Sequence, residues 1–178
     1  MPTTTARPIL QSSCARATSK EESAYRIDAH FAGRRGGRVV ALDDGAATMV
    51  RSLSRDGWNA ARFFTLREER GRGNAGDSAD EALALQRTTG VATDLATELA
   101  DADVAVMVAT ARATGDAAAA AARVGRACAR RGVMTAGIVV GATGSSQRIV
   151  HSLRPHARVL LVGADPLDVA DLLTAIRM

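Results

Sequence analysis

Val104-Ala105-Val106-Met107-Val108-Ala109, the loop 110–116, an alanine-rich run closing on Arg130-Arg131-Gly132, and the apolar stretch 133–140 decide the fold. The first run has no polar residue alternating with its apolar ones, which predicts a central parallel strand buried on both faces. The alanine-rich run ends with cations and a glycine, as a helix C-terminus requires. Residues 133–140 then form a second strand. A strand, a helix and a strand in succession make a right-handed parallel crossover, the unit of an α/β sheet.

The same rhythm extends in both directions. Upstream, Val39-Val40-Ala41-Leu42 predicts a strand and Asp43-Asp44-Gly45 breaks it. Met49, Val50 and Leu53 fall at helical spacing within 46–55, Asp56-Gly57 ends that helix, and residues 61–66 form another strand. Residues 67–80 predict a polar loop. Residues 81–99, with Leu83, Leu85, Val91, Leu95 and Leu99, predict a helix interrupted near Gly90. Downstream, a short helix over 145–153, a strand over 159–162 and a helix over 166–177 opened by Pro166 complete the pattern. The expectation is an α/β fold, three-layer and doubly wound in the Rossmann-like manner, with a mostly parallel sheet of about five strands. Residues 38–178 are expected to form one domain. Residues 1–37, rich in Thr, Ser, Ala, Arg and Gly without hydrophobic periodicity, are expected to form a disordered tail. Arg7, Arg16 and Lys20 occur there with no acid among the first twenty residues, a composition shared with organellar transit peptides.

Composition narrows the function classes. With 47% hydrophobic residues the 178-residue chain can fill a core, and with 3% aromatics that core must be built from small branched side chains. The net charge of +4 comes almost wholly from arginine scattered along the chain, since Lys20 is the only lysine. Arg123, Arg126, Arg130 and Arg131 read as a solvated helix face, and without interleaved aromatics a nucleic-acid partner is not expected. Cys14 and Cys128 lie too far apart in sequence, with no second ligand at metal spacing, to imply a zinc site or a disulfide framework. Cys128 is expected to be a buried small hydrophobe. No apolar run is long enough to span a bilayer, and a cytoplasmic location is expected.

In doubly wound sheets ligands bind beyond the carboxyl ends of the strands, so chemistry would sit in the loops after Leu42, Ala109, Val140 and Val162. The first of these reads Asp43-Asp44-Gly45-Ala46-Ala47-Thr48. Two carboxylates repel phosphate and two alanines crowd it, whereas acidic residues stabilise a helix N-terminus through its dipole. Asp43 and Asp44 remain magnesium candidates only in company with a nucleotide. In the second loop Thr114 fits an N-cap before Gly115, and Arg112 is a lone cation. His151 and His156 lack a partnering nucleophile motif. No catalytic residues are assigned.

The chain resembles the N-terminal nucleotide-binding half of the FtsZ/tubulin-like GTPase family, in three blocks that together cover residues 38–173. From Val39 to Glu69 it is similar to the family's first strand, glycine loop, helix and second strand, with Val50, Gly57 and Phe63 matching. Ala102-Asp103, the apolar run after it, the loop, Gly132 and Thr135 follow the family's next segment. Leu153-Arg154-Pro155-His156-Ala157-Arg158 with the strand and Asp165 after it looks like the family's Leu-Arg-x-His-x-Asp, strand and Pro-Asn-Asp.

The departures fall on what the resemblance assigns to nucleotide chemistry. The family's first glycine loop is replaced by residues 43–48, and its GGGTGTG signature keeps only Thr114-Gly115. Ala164 stands where the family's guanine-contacting Asn would be, and the family's ribose contacts have no counterpart in 141–147. The long central helix, the acidic catalytic loop and the second domain likewise have none. The resemblance therefore implies a non-catalytic FtsZ-like binding or regulatory domain that has lost GTP binding and hydrolysis. It would need no cofactor and would meet a protein partner, another copy of itself included. The alternative is a small nucleotide- or dinucleotide-binding protein, taking GTP or another nucleotide with magnesium through Gly45, Thr48, Thr114 and Gly115.

Overall fold

Alternate residues of the central apolar run part into two separate cores. Val104, Val106 and Val108 pack in one, and Ala105, Met107 and Ala109 in the other. All six are buried, as a strand covered on both faces must be. The computed structural model describes residues 36–58, 61–67, 82–142 and 146–176, all of which belong to the unit Gly33–Met178. The expectations for a tail and for the polar loop fall almost wholly outside the described residues.

In chain order the described elements are β1 (Gly37–Ala41), α1 (Asp44–Leu53), β2 (Arg62–Leu66), β3 (Ala84–Arg87), β4 (Ala92–Asp94), α2 (Leu95–Leu99), β5 (Val104–Thr110), α3 (Gly115–Arg131), β6 (Met134–Val140), α4 (Gln147–Leu153), β7 (Val159–Ala164) and α5 (Pro166–Ala175). The strands form one seven-stranded sheet of order β4-β3-β2-β1-β5-β6-β7. β2, β1, β5, β6 and β7 run parallel, while β3 and β4 join antiparallel beyond β2. The class is thus α/β with a mixed, mostly parallel sheet. Arg38 pairs in register with Arg62 on one side and Ala105 on the other, so β1 lies between the strand that follows it and the strand after the hairpin.

The two cores recruit different helices. Val124 and Cys128 of α3, Ile149 and Leu153 of α4, and Leu95 and Leu99 of α2 share the core with Met107. Val50 and Leu53 of α1, with Val169 and Leu173 of α5, share the other with Val106.

Two expectations need correction. The sheet has seven strands where the pattern predicts about five, because residues 81–99 do not form the predicted helix. Leu83 and Leu85, two apart and both buried, follow a strand period, and Thr88-Thr89-Gly90 makes the turn of a hairpin. Gly90 has φ +95°, the left-handed region open to glycine, and Arg87 N–H donates to Val91 O at 2.8 Å across the turn. Helical spacing holds only from Leu95 onward, where Asp94 caps α2 by accepting from Thr97 N–H at 2.8 Å.

Candidate functional site

The strand order reverses at β1 and β5, and the crevice beyond their carboxyl ends is where an open α/β sheet places a ligand. Here that position is taken by a side chain of the protein itself. Asp43, in extended backbone conformation, is the N-cap of α1. Its Oδ1 accepts from Ala46 N–H at 2.9 Å, and its Oδ2 accepts from Thr110 N–H, at the end of β5, at 2.7 Å. Both oxygens therefore satisfy backbone donors, one at the positive end of a helix and one on the neighbouring strand. These are the donor types a bound phosphate would use.

Main-chain hydrogen bonds continue the closure along the same edge. Leu42 N–H donates to Val108 O at 2.8 Å, Ala111 N–H to Val140 O at 2.8 Å, and Gly141 N–H to Ala164 O at 3.1 Å. Gly45 is glycine for a steric reason, since a Cβ there would lie 2.6 Å from Thr110 Cγ2. The glycine lets α1 approach β5 and does not open room for an anion.

The other residues singled out in the sequence are distributed as follows. Asp44 is exposed in the first turn of α1, and Thr48 Oγ1 donates to the Asp44 carbonyl at 3.1 Å within the helix. Asp43, Gly45 and Thr110 meet, while Thr48 is turned to its own helix. Thr114 occupies the N-cap position of α3 with extended backbone, but its side chain makes no capping hydrogen bond, and Gly115 begins the helix. At the last parallel strand, Asp165 caps α5 by accepting from Leu167 and Asp168 N–H at 2.7 and 2.9 Å, and Asp168 returns the bond to Asp165 N–H at 2.8 Å. Two of the helix N-termini on this edge thus carry built-in carboxylates.

Two amides at the loop after β1, those of Ala46 and Thr110, already serve Asp43, whose two oxygens are in turn engaged. No group of three metal-ligating side chains occurs among the described residues. Cys128 is fully buried, and burial pushes its thiol up to about 12, so it stays protonated at neutral pH. Burial, with Arg126 nearby, lowers the His156 imidazole below its ordinary value.

A second polar centre lies at the opposite, amino-terminal end of the strands. Glu98 of α2, 1% exposed, ties together four strands. Its Oε1 accepts from Arg87 of β3 at 3.1 Å (Nε) and 2.6 Å (Nη2), and from Thr93 Oγ1 of β4 at 3.0 Å. Its Oε2 accepts from Arg62 Nη1 of β2 at 3.3 Å and faces Arg38 Nε of β1 at 3.6 Å. Arg38, equally buried, also donates to the Glu98 carbonyl at 2.8 Å and pairs with Asp101. Burial alone would raise the Glu98 carboxyl, but hydrogen bonds from Arg87, Thr93 and Arg62 outweigh it and hold the group below its ordinary value. Sequence reasoning missed this cluster. Its one signal is Arg38 at the head of a strand whose other residues are apolar.

No helix among the described residues is long and apolar enough to cross a membrane. No protein-family model matches the chain, and no curated protein matches it.

Proposed function

We propose that this chain is a non-catalytic, FtsZ-like binding or regulatory domain, three-layered and doubly wound, whose nucleotide site has been replaced by an internal carboxylate. The observation that carries this reading is Asp43, which bridges the first turn of α1 and the end of β5 where a phosphate would otherwise bind. Two cores drawn from opposite sets of strand residues, each with its own helices, support the layering. A ligand phosphate would have to displace the carboxylate, leave it uncompensated and accept its negative charge nearby. Charge-assisted hydrogen bonds contribute about 1.5–3 kcal/mol each, so two of them denied to the ligand weaken binding by more than a hundredfold. The domain's working surface in this reading is its closed carboxyl edge, offered to a protein partner or to a second copy.

A second reading rests on one specific feature. α3 is seventeen residues long, and its Thr114 cap makes no side-chain hydrogen bond, which leaves donors for the phosphate of a nucleotide or dinucleotide near Thr114 and Gly115. Calorimetric titration with GTP, GDP and ATP, with and without magnesium, separates the two. The first reading expects no saturable heat. Binding tighter than about 100 µM, near 5.5 kcal/mol, replaces it with the second.

A further inference from the structure

Beside the Glu98 cluster lies a cleft of about 230 Å³ that the carboxyl-edge reading does not use. Its walls come from the end of α1, the start of β2 and the β3–β4 turn, and they differ in charge. β2 and the β3–β4 turn contribute Arg62, Arg87, Thr88 and Thr89 to its lining. The end of α1 contributes Asp56 and Ser54, and Ser54 is the C-cap of α1, where the helix dipole adds negative potential. Trp58 and Phe63 also line it, in ring contact with centroids 5.9 Å apart.

The two arginines keep donors in reserve. Arg87 uses Nε and Nη2 on Glu98, and Arg62 uses Nη1 on Glu98 and turns Nη2 to Asp101 at 3.6 Å, whereas a guanidinium carries five N–H groups. Three arginines, Arg38, Arg62 and Arg87, share two carboxylates, Glu98 and Asp101, so the cluster itself has one positive charge in excess. Asp56 opposes a plain anion but favours a ligand that carries an ammonium group as well. Trp58 is held in place by donating its Nε1–H to Leu53 O at 2.7 Å, which leaves its rings as an apolar wall. A volume below the range of about 300–1,000 Å³ typical of drug-sized pockets suits a small metabolite.

We propose that this cleft binds a free α-amino acid with an apolar side chain, its carboxylate on Arg62 and Arg87, its ammonium on Asp56 and its side chain against Trp58. It accounts for opposite charges and an aromatic pair lining one cleft at a sheet end that is otherwise structural. It stands independently of the reading of the carboxyl edge.

Trp58 is the only tryptophan in the chain, so its fluorescence reports on this cleft alone. The full-length protein is titrated with L-phenylalanine, with hydrocinnamate, which lacks the ammonium, and with phenethylamine, which lacks the carboxylate. L-Phenylalanine is expected to give a saturable change and to bind at least about tenfold tighter than either analogue. Asp56→Asn should abolish its advantage over hydrocinnamate, and Arg62→Gln its advantage over phenethylamine, in variants that still melt cooperatively. Equal binding of hydrocinnamate and L-phenylalanine overturns the proposal in favour of a simple anion site. No saturable change with L-phenylalanine to millimolar concentration overturns it outright.

Discussion

The carboxylate of Asp43 accepts the backbone N–H of Thr110 at 2.7 Å, joining two segments 67 residues apart at the point where the strand order reverses. With the cap to Ala46 N–H, this bond closes the junction between the first turn of α1 and the end of β5 with a built-in carboxylate.

Asp43→Ala should accordingly do two things. It removes an N-cap, at a cost of about 1 kcal/mol, and leaves the Thr110 N–H without its acceptor, at a further cost of about 1–3 kcal/mol. It also vacates the anion position. Thermal melting should therefore show a destabilised variant that formate, acetate or phosphate restores in part, while the same salts have little effect on the unaltered protein. Equal responses of both proteins to the anions would show that the vacated position does not act as an anion site.

Gly125 and His156 make the second test, because here the usual sign is reversed. Replacing a mid-helix glycine with alanine ordinarily stabilises by about 1 kcal/mol. At Gly125 of α3, however, an added Cβ would lie under 3.0 Å from the Cβ, Cγ and Nδ1 of His156. His156 cannot easily retreat: its N–H donates to Leu153 O at 2.9 Å, and its carbonyl accepts from Thr135 Oγ1. Gly125→Ala should lose about 1–3 kcal/mol through overpacking, and His156→Gly should recover part of that loss in the double variant. Urea denaturation of the four proteins measures the coupling, and a stabilised Gly125→Ala would show that α3 does not pack against His156.

Different parts of the fold were legible to different degrees, for physical reasons. The run around Val106 announces itself because a strand buried on both faces cannot tolerate alternation. The hairpin is hidden in the sequence because Leu95 and Leu99 follow helical spacing, which masks the period of two that Leu83 and Leu85 obey just before them. Half of the Asp43 site could be read locally, as an acid before a helix, but its partner Thr110 belongs to another strand and leaves no mark near residue 43. Arg38 and Glu98 were least legible. An arginine at the head of a strand and a glutamate between Leu95 and Leu99 look like solvated charges until the chain brings them together.

The Glu98 cluster yields the last prediction, on acid stability. Glu98 is buried with Arg38, Arg62 and Arg87 around it, and its carboxyl is held below the ordinary value of 4.5. A carboxyl depressed in the folded state binds fewer protons there than in the unfolded chain. Its contribution is therefore complete above the unfolded value and declines as pH falls through the folded one. Glu98→Gln keeps the shape but removes the charge, leaving the buried Arg38 to Asp101 and backbone carbonyls. Removing one partner of a buried ion pair costs about 3–5 kcal/mol, a large part of the roughly 5–15 kcal/mol that stabilises a domain. Denaturation at neutral pH should show that loss. Between about pH 5 and pH 3 the unaltered protein should lose stability more steeply than Glu98→Gln, so that the two curves converge on acidification. If the variant does not fold at neutral pH, acid titration of the Glu98 carboxyl in the unaltered protein by NMR carries the test alone. Parallel stability curves, or a Glu98 carboxyl titrating above its ordinary value, would mean that burial outweighs the arginines and that β1 to β4 are not held by this charge.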